Sequence, residues 1–128
     1  IMNYYKRAVL EEFQSKLKPN KVLILLGARR VGKTQLIKKY LESTNENVLQ
    51  LNGEDLNDAR LLEERSVSNY TKLLKNVSIL VIDEAQNIKD IGVILKLIVD
   101  TIDNIKVIAT GSSMFDLANK LGEPLVGR

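Results

Sequence analysis

The feature that most constrains this chain is a short apolar run, Val22 to Leu26, that leads directly into Gly27, Ala28, Arg29, Arg30, Val31, Gly32, Lys33 and Thr34. That octet matches G-x-x-x-x-G-K-[ST] in full. A continuous apolar run of strand length, bounded by Pro19 and Asn20 on one side and a glycine on the other, has the profile of a strand buried on both faces. Glycine at positions 27 and 32 lets the chain turn tightly, so that successive backbone N–H groups point inward at an anion. A helix opening near Gly32, with Leu36, Ile37, Tyr40 and Leu41 as its apolar stripe, adds the positive end of its dipole. In such a loop Lys33 reaches the β and γ phosphates of a nucleotide and the Thr34 hydroxyl ligates Mg²⁺. The candidate nucleotide-contacting set is therefore Gly27, Ala28, Arg29, Arg30, Val31, Gly32, Lys33, Thr34 and Gln35.

The rest of the chain alternates the two kinds of pattern. Val9, Leu10, Phe13 and Leu17 recur at helical spacing between Tyr4 and Leu17. Strands are expected at Val48 to Leu51, Ile79 to Ile82 and Val107 to Ala109. Two helical pieces parted near Ser66 and Ser68, a helix over Ile91 to Ile102 and a last one over Met114 to Leu121 complete the reading. Strands alternating with helices predict an α/β fold: a mostly parallel sheet with helices on both faces, joined by right-handed crossovers. At 128 residues one core and one domain are expected.

Two further segments carry chemistry. Ile79, Leu80, Val81 and Ile82 end in Asp83 and Glu84. Parallel strands deliver their C-terminal residues to one sheet edge, so Asp83 is expected to face the Mg²⁺ held by Thr34. Glu84 is placed to polarise an attacking water. Val107, Ile108 and Ala109 lead into Thr110, Gly111, Ser112 and Ser113. A hydroxyl there can hydrogen-bond a γ-phosphate or the lytic water, with Thr110 and Ser112 as candidates; Ser112 or Ser113 equally suits the N-cap of the following helix. Arg29, Arg30 and Arg128 are the cations available for transition-state charge.

Composition narrows the chemistry further. The chain has no cysteine and no histidine, which removes disulfides, thiolate metal sites and the commonest general base. Catalysis has to rest on carboxylates, lysine, hydroxyls and metal. The net charge of +3 is spread among interleaved acidic and basic residues, and only 5% of residues are aromatic, so no stacking platform for nucleic acid is expected. No apolar run approaches the roughly 20 residues of a membrane span, and residues 1 to 20 lack a secretory signal pattern, so a cytoplasmic location is expected.

With these residues placed, the chain resembles the AAA+-like ATPases of prokaryotes that usually carry a C-terminal domain of unknown function. The resemblance rests on the G-x-R-R-V-G-K-T loop, the strand and acidic turn from Val48 to Asp55, the Asp-Glu-Ala-Gln tetrad at 83 to 86, the Thr-Gly-Ser-Ser segment from Thr110, and Leu125, Val126, Gly127 and Arg128. It implies a three-layer P-loop NTPase of the AAA+, additional-strand class. It also implies that Lys33 and Thr34 bind ATP and Mg²⁺, that Asp83 and Glu84 act in metal binding and hydrolysis, and that Thr110 with Ser112 corresponds to sensor 1. Family members continue beyond the equivalent of Arg128 into another strand, a lid and a further domain. Residues 1–128 are accordingly expected to be an N-terminal ATP-binding fragment without the fifth strand and lid. An exposed P-loop strand at the sheet edge would then invite self-association.

The expected function is Mg²⁺-dependent ATP hydrolysis. A regulatory module that holds ATP or ADP, turns over rarely and signals by conformational change needs the same loop and parts from the hydrolase at Glu84. A nucleotide kinase would need a basic acceptor lid, whereas the stretch from Glu54 to Glu64 is acidic.

Overall fold

The computed structural model describes the backbone of residues 2–26, 31–111 and 124–126, and the side chains of residues 8–26 and 35–111. In chain order its elements are α1 (Met2–Lys16), β1 (Lys21–Leu26), α2 (Val31–Ser43), β2 (Val48–Asn52), α3 (Leu56–Leu61), α4 (Val67–Leu73), β3 (Ile79–Asp83), α5 (Ile91–Thr101), β4 (Lys106–Gly111) and β5 (Pro124–Val126). A 3₁₀ turn, Ala85–Asn87, follows β3. The five strands form one sheet in the order β2-β3-β4-β1-β5, and every neighbouring pair is parallel.

Pleat parity divides the core into two layers of side chains. Val22, Ile24 and Leu26 of β1, Leu80 and Ile82 of β3, and Val107 and Ala109 of β4 pack with Tyr70 of α4 and Ile94, Leu95 and Ile98 of α5. Leu23, Leu25, Ile79, Val81 and Ile108 point the other way, against Phe13 of α1 and Ile37 and Tyr40 of α2. Successive strand residues face opposite sides, so a run such as Ile79 to Ile82, fully buried throughout, needs helices over both faces. Phe13 and Tyr40 meet edge-on, their ring centroids 5.3 Å apart, and join α1 to α2.

The α3–α4 corner is set by polar capping. Asp55 accepts from the amides of Asn57 and Asp58 at the start of α3. Ser66 is the N-cap of α4, and its hydroxyl accepts from the Asn69 amide at 3.0 Å. Tyr70 is fully buried, and its hydroxyl donates to the Leu62 carbonyl at 2.9 Å. At the opposite end of the sheet from the carboxylates, Asn20 adopts a left-handed backbone with φ 60°. Its side-chain amide donates to the carbonyls of Val99 and Ile102, each at 2.8 Å, and its Oδ1 accepts from the Asn104 amide. This clasp ties the C-terminal end of α5 to the entry of β1.

The layered α/β architecture expected from the sequence is the one observed, and β4 is the additional strand between β1 and β3. One expectation is corrected. A fifth strand is present, because Pro124–Val126 pairs parallel with Ile24–Leu26. Its three residues, beginning with proline, are too short for a period-2 signal, although the first position of an edge strand is where proline is tolerated. The open-edge argument for self-association through β1 loses its premise over Ile24–Leu26. Strand β4 also runs two residues past Ala109, since Thr110 pairs with Leu25 and Gly111 with Leu26. The helix expected over Met114 to Leu121 lies outside the described residues, as do Gly27 to Arg30 and Ser112.

Burial raises the Tyr70 hydroxyl above its ordinary pKa, with the nearby Arg65 charge opposing and the Glu64 charge adding to the shift. The folded state therefore holds this proton more tightly than the unfolded chain. Its contribution is whole below the unfolded value of about 10 and is lost as pH rises through the folded value. Tyr70→Phe is expected to cost about 1–2 kcal/mol in urea unfolding at neutral pH and to flatten the fall in stability above about pH 10.

Candidate nucleotide-binding site

The site is assembled at one sheet edge by strand ends that would otherwise be unrelated. Leu26, the last residue before the glycine-rich loop, lies beside Gly111, and Asp83 at the end of β3 lies beside Asn52 at the end of β2. Parity then decides which way the polar ends project. Val81 faces α2, so Asp83, two residues on, projects to the same face; Ile108 and Thr110 are related in the same way. That is the face covered by α2, whose first turn carries Val31, Gly32, Lys33 and Thr34. Gln35 is exposed on the same turn. On the same face, beyond that turn, a groove of about 440 Å³ is lined by Ile37, Lys38, Leu41 and Glu42 of α2, Gln50 of β2 and Asp83.

Thr110 joins the two carboxylate residues. Its side chain is 3% exposed, its hydroxyl donates to Asp83 Oδ1 at 3.1 Å, and its oxygen accepts from the Glu84 backbone N–H at 3.0 Å. A hydroxyl has one hydrogen to give. With that hydrogen on Asp83, Thr110 orients the carboxylate in this arrangement. Among the sequence candidates, the structure thus brings Asp83, Glu84 and Thr110 together at the edge where α2 begins.

Glu84 leaves the strand sharply. Its backbone is left-handed, φ 51° and ψ 48°, and starts the 3₁₀ turn. A glutamate pays a steric cost in that region, and the reversal takes the chain out of the β3 ladder directly after Asp83. Gln86 on the turn donates from Nε2 to Glu84 Oε1 at 2.9 Å.

Gly53 was not among the sequence candidates, yet it closes the other side of this turn. Its N–H donates to the Asp83 carbonyl at 2.7 Å, and a Cβ built on it would stand 2.2 Å from the Glu84 carbonyl oxygen. Only glycine allows that approach. The Asx turn at Asn52, whose Oδ1 accepts from the Glu54 amide at 2.9 Å, holds the loop in place. A glycine directly after a strand end that shares an edge with the acidic pair was the available signal; Gln86 had only its place in the 83 to 86 tetrad.

A sequence profile of the family described as "AAA domain" matches residues 19–128. The chain belongs to the AAA domain family. This is an AAA+ family of P-loop ATPases whose members typically carry a C-terminal domain of unknown function, as the resemblance implied. The domain is also similar to the replication factor C large subunit of Methanosarcina acetivorans, 30% identical over 84 residues, which are 64% of this chain and 14% of that protein. The chain thus spans a small part of the length of this curated relative. Membership implies nucleotide binding and ATPase chemistry in general terms. Among the described residues no helix of the AAA domain is long and apolar enough to cross a membrane.

Substitution of Gly53 tests the close approach. Gly53→Ala must displace the Glu84–Ala85 peptide or the β2 turn. The expected loss is about 2–4 kcal/mol in chemical denaturation, at the upper end of overpacking costs.

Proposed function

We propose that this AAA domain binds Mg²⁺–ATP at the edge formed by β1, β3 and β4 and hydrolyses it, with Glu84 orienting the attacking water. The observation that carries the reading is the Thr110 bridge, which sets the ends of β3 and β4 so that two carboxylates with different surroundings lie at the C-terminal edge of the sheet. Asp83 retains acceptor capacity after the Thr110 bond and borders the α2 groove, which suits an oxygen ligand for a hard cation. The Mg²⁺ supplies charge neutralisation on the phosphates.

In this reading the backbone of Gly27 to Gly32 cradles the phosphates, Lys33 contributes a point charge, and Thr34 with Asp83 holds the metal. Glu84 accepts from the water, the part no histidine in the chain can take. Thr110 orients the Asp83 carboxylate and holds the Glu84 backbone N–H, and Ser112 takes contact with the γ-phosphate. Arg29 and Arg30 are the loop cations for developing charge.

Calorimetric titration with Mg²⁺–ATP and a phosphate-release assay test these roles separately. Lys33→Ala is expected to weaken ATP binding by about 10- to 100-fold, the range for losing a charged hydrogen bond. Glu84→Gln is expected to bind ATP as the parent does and to lower kcat by about 10²- to 10⁴-fold. Binding without turnover in the parent would favour the regulatory-module reading, and unchanged turnover in Glu84→Gln would remove Glu84 from the chemistry.

A further inference from the structure

We propose that Gln86 is a positioning residue for Glu84, retained at a cost to stability; this rests on the hydrolysis reading above. Glu84 is held at two points described here. Its backbone N–H is bound by the Thr110 hydroxyl oxygen, and its carboxylate accepts from the Gln86 side-chain amide. The first contact fixes where the side chain begins, and the second fixes where the carboxylate ends. A glutamate side chain has several rotatable bonds between those points, so a terminal contact narrows the choice among rotamers.

Gln86 is itself on rigid ground. The turn that carries it is anchored on either side by Ala85, fully buried, and Ile88, 5% exposed. The orientation of its amide follows from its neighbour, because an ionised carboxylate only accepts and therefore faces the NH₂ group. That orientation leaves Gln86 Oε1 buried without a hydrogen-bond partner among the described residues. An unsatisfied buried acceptor is destabilising, and buried polar groups in folded proteins are rarely left so. A turn serving the fold alone is better filled by an apolar side chain of similar size. A neutral amide, unlike lysine or arginine, holds the carboxylate without cancelling the charge that a water-activating group needs.

The distinguishing signature is opposite movement of stability and turnover. In Gln86→Leu, which removes both the donor and the unsatisfied acceptor, the melting temperature is expected to hold or rise by up to about 5 °C. Its kcat is expected to fall about 10- to 100-fold, the scale of losing alignment at a reacting group, with KM and the affinity for Mg²⁺–ATP within twofold of the parent's, since the nucleotide contacts are untouched. Gln86→Glu, nearly identical in shape but acceptor-only when ionised, is expected to show the same loss of kcat and guards against a packing effect peculiar to leucine. Parent, both Gln86 variants and Glu84→Gln are assayed together. Inactive Glu84→Gln beside fully active Gln86 variants would overturn the positioning role alone. Active Glu84→Gln, or a parent without turnover, would overturn the hydrolysis reading and this inference with it. A melting temperature that falls together with nucleotide affinity would identify Gln86 as a structural residue and overturn the proposal.

Discussion

Everything at the candidate site depends on β4 being hydrogen-bonded between β1 and β3. Parallel pairing on both sides brings the end of β4 level with the last residue before the glycine-rich loop and carries Thr110 up to Asp83. Because the three strands run the same way, no turn chemistry is needed to gather their polar ends. The burial that holds them is equally simple. Each strand sends alternate side chains into two apolar layers, and α1 with α2 covers one while α4 with α5 covers the other. A polar side chain in the middle of any of these strands would meet a helix on whichever side it pointed.

At the edge itself, the described donors around the two carboxylates are neutral: the Thr110 hydroxyl, the Gly53 amide on the Asp83 carbonyl, and the Gln86 side-chain amide. A neutral donor orients a carboxylate without adding a counter-charge of its own. The left-handed Glu84 turns the chain out of the β3 ladder directly after its last residue, Asp83. Adjacent residues of the same chemical type are thereby set in different surroundings, Asp83 on the Thr110 hydroxyl and Glu84 on the Gln86 amide.

The parallel α/β sheet and the placement of Asp83 and Glu84 at a strand end were legible in the sequence because each rests on a local pattern: a short apolar run, a glycine or an acid at its end, a helical stripe after it; the additional-strand class came with the family resemblance. Contacts between distant segments were not legible. Gly53 meets the Glu84 carbonyl across two parallel strands; a glycine after a strand end hinted at a close approach, but its partner is set by the pairing of β2 with β3. Thr110 was placed correctly at the edge, but its bond to Asp83 depends on the register of β3 against β4. Strand β5 escaped notice because three residues cannot display alternation and because proline reads as a break.

The strand order has a consequence for how the chain finds its fold. Strands β1 and β2 follow one another in sequence but are separated in the sheet by two strands that are synthesised after both. The β2–β3 pair can form within a modest loop, whereas β1 has no described partner until β4 exists. The clasp that seats its entry joins Asn20 to Asn104, 84 residues away. Closing a separation of that size is entropically expensive, and topologies dominated by such pairings fold slowly. The strand that presents the phosphate loop therefore joins the sheet late, so the segment with the most recognisable chemistry is among the last to acquire its geometry.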